Sequence, residues 1–168
     1  MSTSNDSTGG TVVFQEIGPV HYQALASFLR DNNLPSVLRT FNPFPLTSET
    51  AMRIALGPHE DHYYGAFLNG DVVGLSMLRG WDEGYSVPSF GIVIECRLHN
   101  RGIGAQLTEF TIGEARRLGC DRVRLSVFAS NPAAIRVYSA KGFVESHREA
   151  VLLAGVPDEK IIMFRALR

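Results

Sequence analysis

The sequence predicts an α/β (α+β) fold: a mixed, mostly antiparallel central sheet of six to seven strands flanked by about four helices. Three observations predict it. Asn69-Gly70 lies between two strand-like runs, and that dipeptide favours the positive φ values of a primed hairpin turn. Ser89 to Ile94 is apolar on both faces, as a central strand is, and it leads into the turn His99-Asn100-Arg101-Gly102-Ile103-Gly104-Ala105 and an amphipathic stretch ending near Leu118. A second strand, turn and helix succession follows, from Arg122 to Phe128 and then from Asn131 to Phe143.

Taken in order, residues 1–10 are polar and end in Gly-Gly, too poor in apolar groups to offset the entropy of ordering them, and are expected to be a disordered tail. Residues 11–168 are expected to form one domain, a length that can bury a sizeable core at 45% hydrophobic content. Val12 to Ile17 reads as a strand stopped by Gly18-Pro19, and Tyr22, Leu25, Ala26, Phe28 and Leu29 recur at helical spacing. Phe41-Asn-Pro-Phe-Pro45 reads as a stiff loop, since each proline disfavours helix in the residue before it. Ser48 is the expected N-cap of a second helix carrying Met52, Ile54, Ala55 and Leu56 up to Gly57-Pro58. The strands Tyr63–Leu68 and Val72–Leu78 form the hairpin, and Trp81 to Pro88 is a loop. Ile103, Leu107, Phe110, Ala115 and Leu118 line one side of the long helix, which Gly119 ends. Pro132 suits the first turn of the last helix, Asn131 or Ser130 its cap, and Gly142 its end. Strands from Phe143 to Leu153 and from Lys160 to Leu167 close the chain around Ala154 to Glu159.

Composition excludes some functions. Lys+Arg 16 against Asp+Glu 17 is no signature of a protein that holds nucleic acid or an anionic membrane by bulk charge. The first residues lack the basic and apolar regions of a secretory signal, and Cys96 and Cys120 lack metal-ligand or CxxC spacing, so the expected setting is cytoplasmic. His59-Glu-Asp-His62 lacks the further ligands of a metal site, and no metal is expected.

The turn from His99 to Ala105 carries the chemistry. A glycine-bearing turn into a helix aims unpaired backbone N–H groups and the positive end of the helix dipole at one point, which suits a phosphate or pyrophosphate. Gly102 and Gly104 leave no side chain between amide and anion, and Arg101 adds a positive charge. A dinucleotide-binding reading fails on the missing third glycine, the lateness of the turn and the preceding hairpin.

This turn resembles the acyl-CoA pyrophosphate loop of the GNAT N-acetyltransferase superfamily, and Asn131 to Phe143 resembles that family's Asn-x-x-Ala-x-x-x-Tyr-x-x-x-Gly-Phe helix. The element order from Val12 to Leu167 also matches the family's. The resemblance implies acetyl-CoA as cosubstrate and direct acetyl transfer to an amine. It implies that Ile92, Val93 and Ile94 pair through their backbone with the pantetheine arm, an N–H near Ile94 polarising the acetyl carbonyl. Arg101, Gly102, Ile103, Gly104 and Ala105 would cradle the pyrophosphate, Asn131 would hydrogen-bond the arm, and Tyr138 would protonate the departing thiolate.

The sequence departs from the family at two points. His99 stands where the loop usually begins with Gln or Arg, and Ser126 stands where some members carry a Glu base. Another base position used in the family falls near Pro88, which cannot titrate. Glu83 is then the leading candidate base, Asp82 the second, with solvent the fallback. Phe41, Phe44, Trp81, Asp82 and Tyr85 lie in loops that the resemblance puts on the acceptor side, where rings beside carboxylates suit a small-molecule amine such as an amino sugar. A protein N-terminus or lysine remains an alternative acceptor, and a homodimer is left open. A domain that binds acyl-CoA as a sensor without turnover is the rival of another class.

Overall fold

The computed structural model describes residues 2–5 and 10–168. Among these residues one sheet runs through the molecule: β1 (Ser2–Asn5), β2 (Thr11–Glu16), β3 (His62–Leu68), β4 (Asp71–Arg79), β5 (Ser89–Ile94), β6 (Arg122–Phe128), β7 (Val144–Leu153) and β8 (Val156–Ala166). Their spatial order is β1-β2-β3-β4-β5-β6-β8-β7, and every neighbouring pair is antiparallel except β5 and β6. The helices are α1 (Tyr22–Asp31), the single turn α2 (Pro35–Leu38), α3 (Ser48–Leu56), α4 (Ile103–Arg117) and α5 (Pro132–Ala140).

The class is that predicted, with local corrections. Ser2–Asn5, expected within a loose tail, pairs with β2, from Ser2 opposite Phe14 to Asn5 opposite Thr11; the remainder of that expected tail, residues 1 and 6–9, lies outside the described residues. Backbone ladder bonds need no apolar side chain, so composition does not report them. The cap of α3 is Thr47, whose hydroxyl accepts from the Thr50 N–H (3.2 Å), and not Ser48. The closing hairpin turns on Ala154-Gly155 alone, with φ of 51° and 80°, so β8 begins at Val156 instead of Lys160. Two successive positive φ values make a primed two-residue turn, and Pro157 is accepted there because β8 pairs with β7 alone before Lys160. Asn69-Gly70, with φ of 53° and 90°, makes the expected tight turn.

Alternation of side chains across the sheet creates two apolar layers. On one face Ile103, Leu107, Ile112 and Ala115 of α4 pack on Phe14, Tyr64, Leu125 and Val127. On the other, Leu25 and Leu29 of α1 and Ala51 and Ile54 of α3 pack on Tyr63, Leu75, Met77 and Val93. Burial of each such leucine stabilises by roughly 1.5–3 kcal/mol. The sheet is thereby clamped on both faces, and its one irregularity of consequence is the junction of β5 and β6.

Those two strands share a single register pair, Ser89 opposite Arg124, with the Arg124 N–H donating to the Pro88 carbonyl at 3.0 Å. Beyond it they part. The Glu95 N–H donates to the Val73 carbonyl (2.9 Å), which fixes the alternation along β5: odd residues bond to β4, so Val93, expected to pair with the ligand's arm, spends its backbone groups on Leu75 instead, and the backbone groups of Phe90, Ile92 and Ile94 point toward β6. In the middle of the sheet the Ile92 peptide groups and the Ile94 N–H are therefore left open to a ligand.

Candidate active site

A cavity of about 480 Å³ opens where β5 and β6 part. Its walls come from β5 (Phe90, Ile92), β6 (Arg124, Ser126), Tyr138 of α5 and the loops carrying Phe41, Glu83 and Tyr85. Both parallel strands run from this cavity to a helix start at their C-terminal ends, β5 through the glycine turn to α4 and β6 through Asn131 to α5. The sheet thus gathers two helix N-termini at one end of the groove, where their dipoles favour negative charge.

The glycine turn has the form its residues dictate. Gly102 is the N-cap residue of α4 in the left-handed region (φ 81°), preceded by Asn100 at φ 62°. No side chain caps the helix, and its first turn holds no acidic residue. Arg101, Gly102 and Ala105 are exposed, Gly104 is half-buried, and only Ile103 turns into the core. A Cβ built on Gly104 would come no closer than 3.4 Å to any neighbour, the Ile94 side chain, so the fold itself does not demand glycine there. Uncapped donors, a bare backbone and an adjacent arginine fit a pyrophosphate. His99, unassigned by sequence reasoning, has a place of its own: its Nε2–H donates to the Ile94 carbonyl (3.0 Å), tying the turn to the end of β5.

Asn131 caps α5 by accepting the Ala134 N–H (3.2 Å), which leaves its side-chain amide N–H groups free to donate to a ligand. Tyr138 follows on the same helix, its ring edge-on to Phe90 (6.4 Å between centroids) and Phe143 (5.9 Å). Burial pushes its hydroxyl up to about 12, so the phenol holds its proton throughout the physiological range. The hydroxyl has no hydrogen-bond partner among the described residues, and the residue lines the cavity.

The acceptor-side residues divide. Phe41 lines the cavity although it is only 8% exposed; Tyr85 is an exposed part of the wall; Glu83 also lines it. Phe44, Trp81 and Asp82 lie elsewhere, against expectation. Phe44 is buried against Tyr63, beneath the Arg53 and Arg79 guanidinium groups, because the turn of Pro43 and Pro45 drives it into the α1–α3 layer. Trp81 stands edge-on to His62 on the opposite side of its loop. Asp82 is not part of the cavity wall: through one carboxylate oxygen it accepts the Glu60 N–H at 2.5 Å, which ties two loops together.

Sequence reasoning missed the residues that shape this wall. Buried Asp61 accepts the N–H groups of Gly80 (2.7 Å) and Trp81 (2.9 Å) through one oxygen, and its other oxygen lies 3.6 Å from Arg79 Nε. Arg79 also donates to the Pro43 carbonyl (3.1 Å) and sits 3.7 Å from Glu83. The loop that presents Glu83 is held by this charged knot. Arg124, Ser126 and Phe128 share the open face of β6, and Arg124 and Lys160 bring further positive charge to the cavity. The signal was the period-two pattern of Arg122-Val-Arg-Leu-Ser-Val-Phe128, which assigns Arg124 to the face opposite the buried valines and leucine.

The histidines rejected as metal ligands are occupied otherwise: His59 Nδ1 and Nε2 face the carbonyls of Asp61 (2.7 Å) and Ile54 (2.8 Å), and His62 pairs with Glu16 (2.7 Å).

The arrangement agrees with comparisons against known proteins. L-amino acid N-acetyltransferase AaaT of Escherichia coli (strain K12) is 36% identical over 81 residues, 46% of this chain and 50% of that relative, so the match spans half the relative's length. A GNAT-family acetyltransferase from Streptococcus pneumoniae has the same fold, with a TM-score of 0.74 at 22% identity over 92% of this chain and 98% of that one. The GNAT domain of S. lividans PAT superposes with a TM-score of 0.75 at 18% identity, over 98% of this chain and 96% of that one. The model of the acetyltransferase (GNAT) family matches residues 24–143, which takes in the parted strands, the glycine turn and the whole of α5; the chain belongs to that family.

Proposed function

We propose that residues 11–168 form a single acetyl-CoA-dependent N-acetyltransferase that moves an acetyl group directly to the primary amine of a small molecule. The observation that carries this reading is the opening of β5 from β6 with Tyr138 in its wall and the uncapped start of α4 at its end. The relative AaaT is named for acetylation of L-amino acids, which supports a small acceptor over a protein one. A cytoplasmic setting belongs to the same reading and accords with two free cysteines, Cys96 and Cys120; among the described residues no helix is long and apolar enough to cross a membrane.

Acetyl-CoA supplies the activated acyl group. Arg101 and the N–H groups of residues 102–105 bind its pyrophosphate, Asn131 and the open edge of β5 align its arm, and the Ile94 N–H polarises the carbonyl. The amine nitrogen forms the new C–N bond as the C–S bond breaks, and Tyr138 gives its proton to the leaving sulfur. The acceptor nitrogen's proton passes to Glu83 or to solvent, and the tyrosine is then reprotonated. Ser126 cannot take that part.

The test is thermal. CoA or acetyl-CoA at about a hundred times its dissociation constant adds roughly 2.7 kcal/mol, and Tm should rise by about 5–10 °C for a domain of this size. NAD should give no shift; a shift with NAD and none with CoA overturns the assignment of the turn. Thiol release from acetyl-CoA with amino sugars, polyamines, amino acids and peptides then separates enzyme from sensor, since a sensor binds CoA and releases no thiol above background.

Glu83→Gln distinguishes a base from an orienting charge. If Glu83 takes the proton, kcat falls by about 10²-fold or more and the acidic inflection of the rate profile disappears, with CoA affinity unchanged. If the carboxylate only steadies a cationic acceptor beside Arg79, the acceptor's KM rises and kcat stays nearly intact. Wild-type values of both would leave solvent as the base.

A further inference from the structure

We infer that Arg124 holds a carboxylate of the acceptor, so that the amine acetylated in this cavity is the α-amino group of a free amino acid. The inference rests on the function proposed above and names its substrate class. Its basis is an imbalance of charge. Three cationic side chains line the cavity, Arg79, Arg124 and Lys160, against one carboxylate, Glu83. Arg79 is already answered by Asp61 and Glu83, at 3.6 and 3.7 Å. Arg124 is answered by nothing: among the described residues it forms no ion pair, and its Nε is buried without a hydrogen-bond partner.

Arg124 is half-buried, and a guanidinium partly withdrawn from water without a counter-charge carries a cost that an arriving acid recovers. Its planar fork of N–H donors matches both oxygens of a carboxylate, a match that a neutral sugar hydroxyl does not make. A polyamine would bring further positive charge to it. Position supports the same ligand. The Arg124 backbone N–H is fixed to Pro88 where the strands begin to part, so the guanidinium belongs to the closed end of the groove. Lys160 lies opposite Phe128, four residues and about 13 Å along the strand, toward the helix starts. A carboxylate on Arg124 therefore leaves the neighbouring amine facing the parted strands, with the cofactor end of the groove beyond it.

The experiment compares matched acceptors: L-amino acids, each with its carboxamide and its decarboxylated amine, in the thiol-release assay with acetyl-CoA. The wild type is expected to prefer the free acids. Arg124→Gln should raise their KM by about 30-fold or more, the loss typical of one partner in a desolvated charged pair. The amides and amines should change by less than about threefold on the same scale, and Arg124→Lys should recover part of the loss. Equal use of acid and amide by the wild type, or equal losses for both in Arg124→Gln, would overturn the assignment and leave the acetyltransferase reading standing. Calorimetry with CoA present separates the opposite failure. Amino-acid binding that requires Arg124, in a protein that acetylates nothing, upholds the carboxylate site while the proposed function falls. An unchanged CoA dissociation constant shows that Arg124→Gln is folded.

Discussion

Tyr138→Phe is expected to lower turnover by roughly 10²–10⁴-fold while leaving CoA affinity within about twofold of the wild type. The substitution keeps the ring between Phe90 and Phe143 and removes only a hydroxyl that has no hydrogen-bond partner among the described residues. Folding should hardly register it, with Tm within about 2 °C of the wild type. The chemistry should. A phenol pushed up to about 12 is protonated at every working pH, so it is always ready to donate. It is also a weak acid beside a thiol, whose ordinary pKa is about 8.5. Desolvation narrows that gap, because the burial that raises the phenol also raises a thiol leaving within the same cavity. The transfer accordingly belongs with C–S cleavage, as charge builds on sulfur. One corollary concerns pH: loss of the Tyr138 proton would slow the reaction only as pH rises toward about 12, so this residue imposes no alkaline limb on the rate between pH 6 and about 10. Near-normal turnover with a lowered Tm would instead make Tyr138 a packing residue.

The features legible in the sequence are those written in local chemistry. Asn69-Gly70 announces its hairpin because few residues accept two positive φ values, and Gly102 announces the turn before α4 for the same reason. Asn131 and Pro132 locate the start of α5 through capping and a fixed φ. The features that stayed hidden depend on partners distant in sequence. Nothing near Asp61 says that it will gather the backbone of residues 80 and 81, nor that Arg79 will lie over the Phe44 ring. Phe44 and Trp81 were misplaced for this reason: an aromatic residue in a loop is apolar whether it faces a ligand or the core, and only the surrounding fold decides. β1 was missed because its pairing rests on backbone groups that every sequence possesses. Arg124 was visible in the alternation of β6, yet its meaning depends on the separation of that strand from β5, a relation between segments more than thirty residues apart.

Gly104→Val should abolish the stabilisation by CoA while the fold persists, and the local geometry is what makes the experiment clean. Gly102 is a poor target, since φ of 81° would strain any side chain and a loss of binding there could be a loss of structure. Gly104 sits inside the first turn of α4, and a Cβ there meets only Ile94, at 3.4 Å, an ordinary contact. Exchange of glycine for almost any other residue in a helix also favours the helix by up to about 1 kcal/mol. The apo protein should therefore keep its circular dichroism and a Tm within a few degrees of the wild type, about the effect of 1 kcal/mol. The damage falls on the ligand. The bare backbone at residues 102 to 105 is what lets an anion reach the uncapped N–H groups, and a branched side chain on Gly104 fills that approach. Once the pyrophosphate is held off the turn, the rise of about 5–10 °C expected for the wild type at saturating CoA should shrink below about 1 °C. Gly104→Ala, which adds a single methyl, should fall between the two. A full shift retained by Gly104→Val would mean that the pyrophosphate does not lie on this turn, and Arg101 and the start of α4 would lose their assigned part in binding.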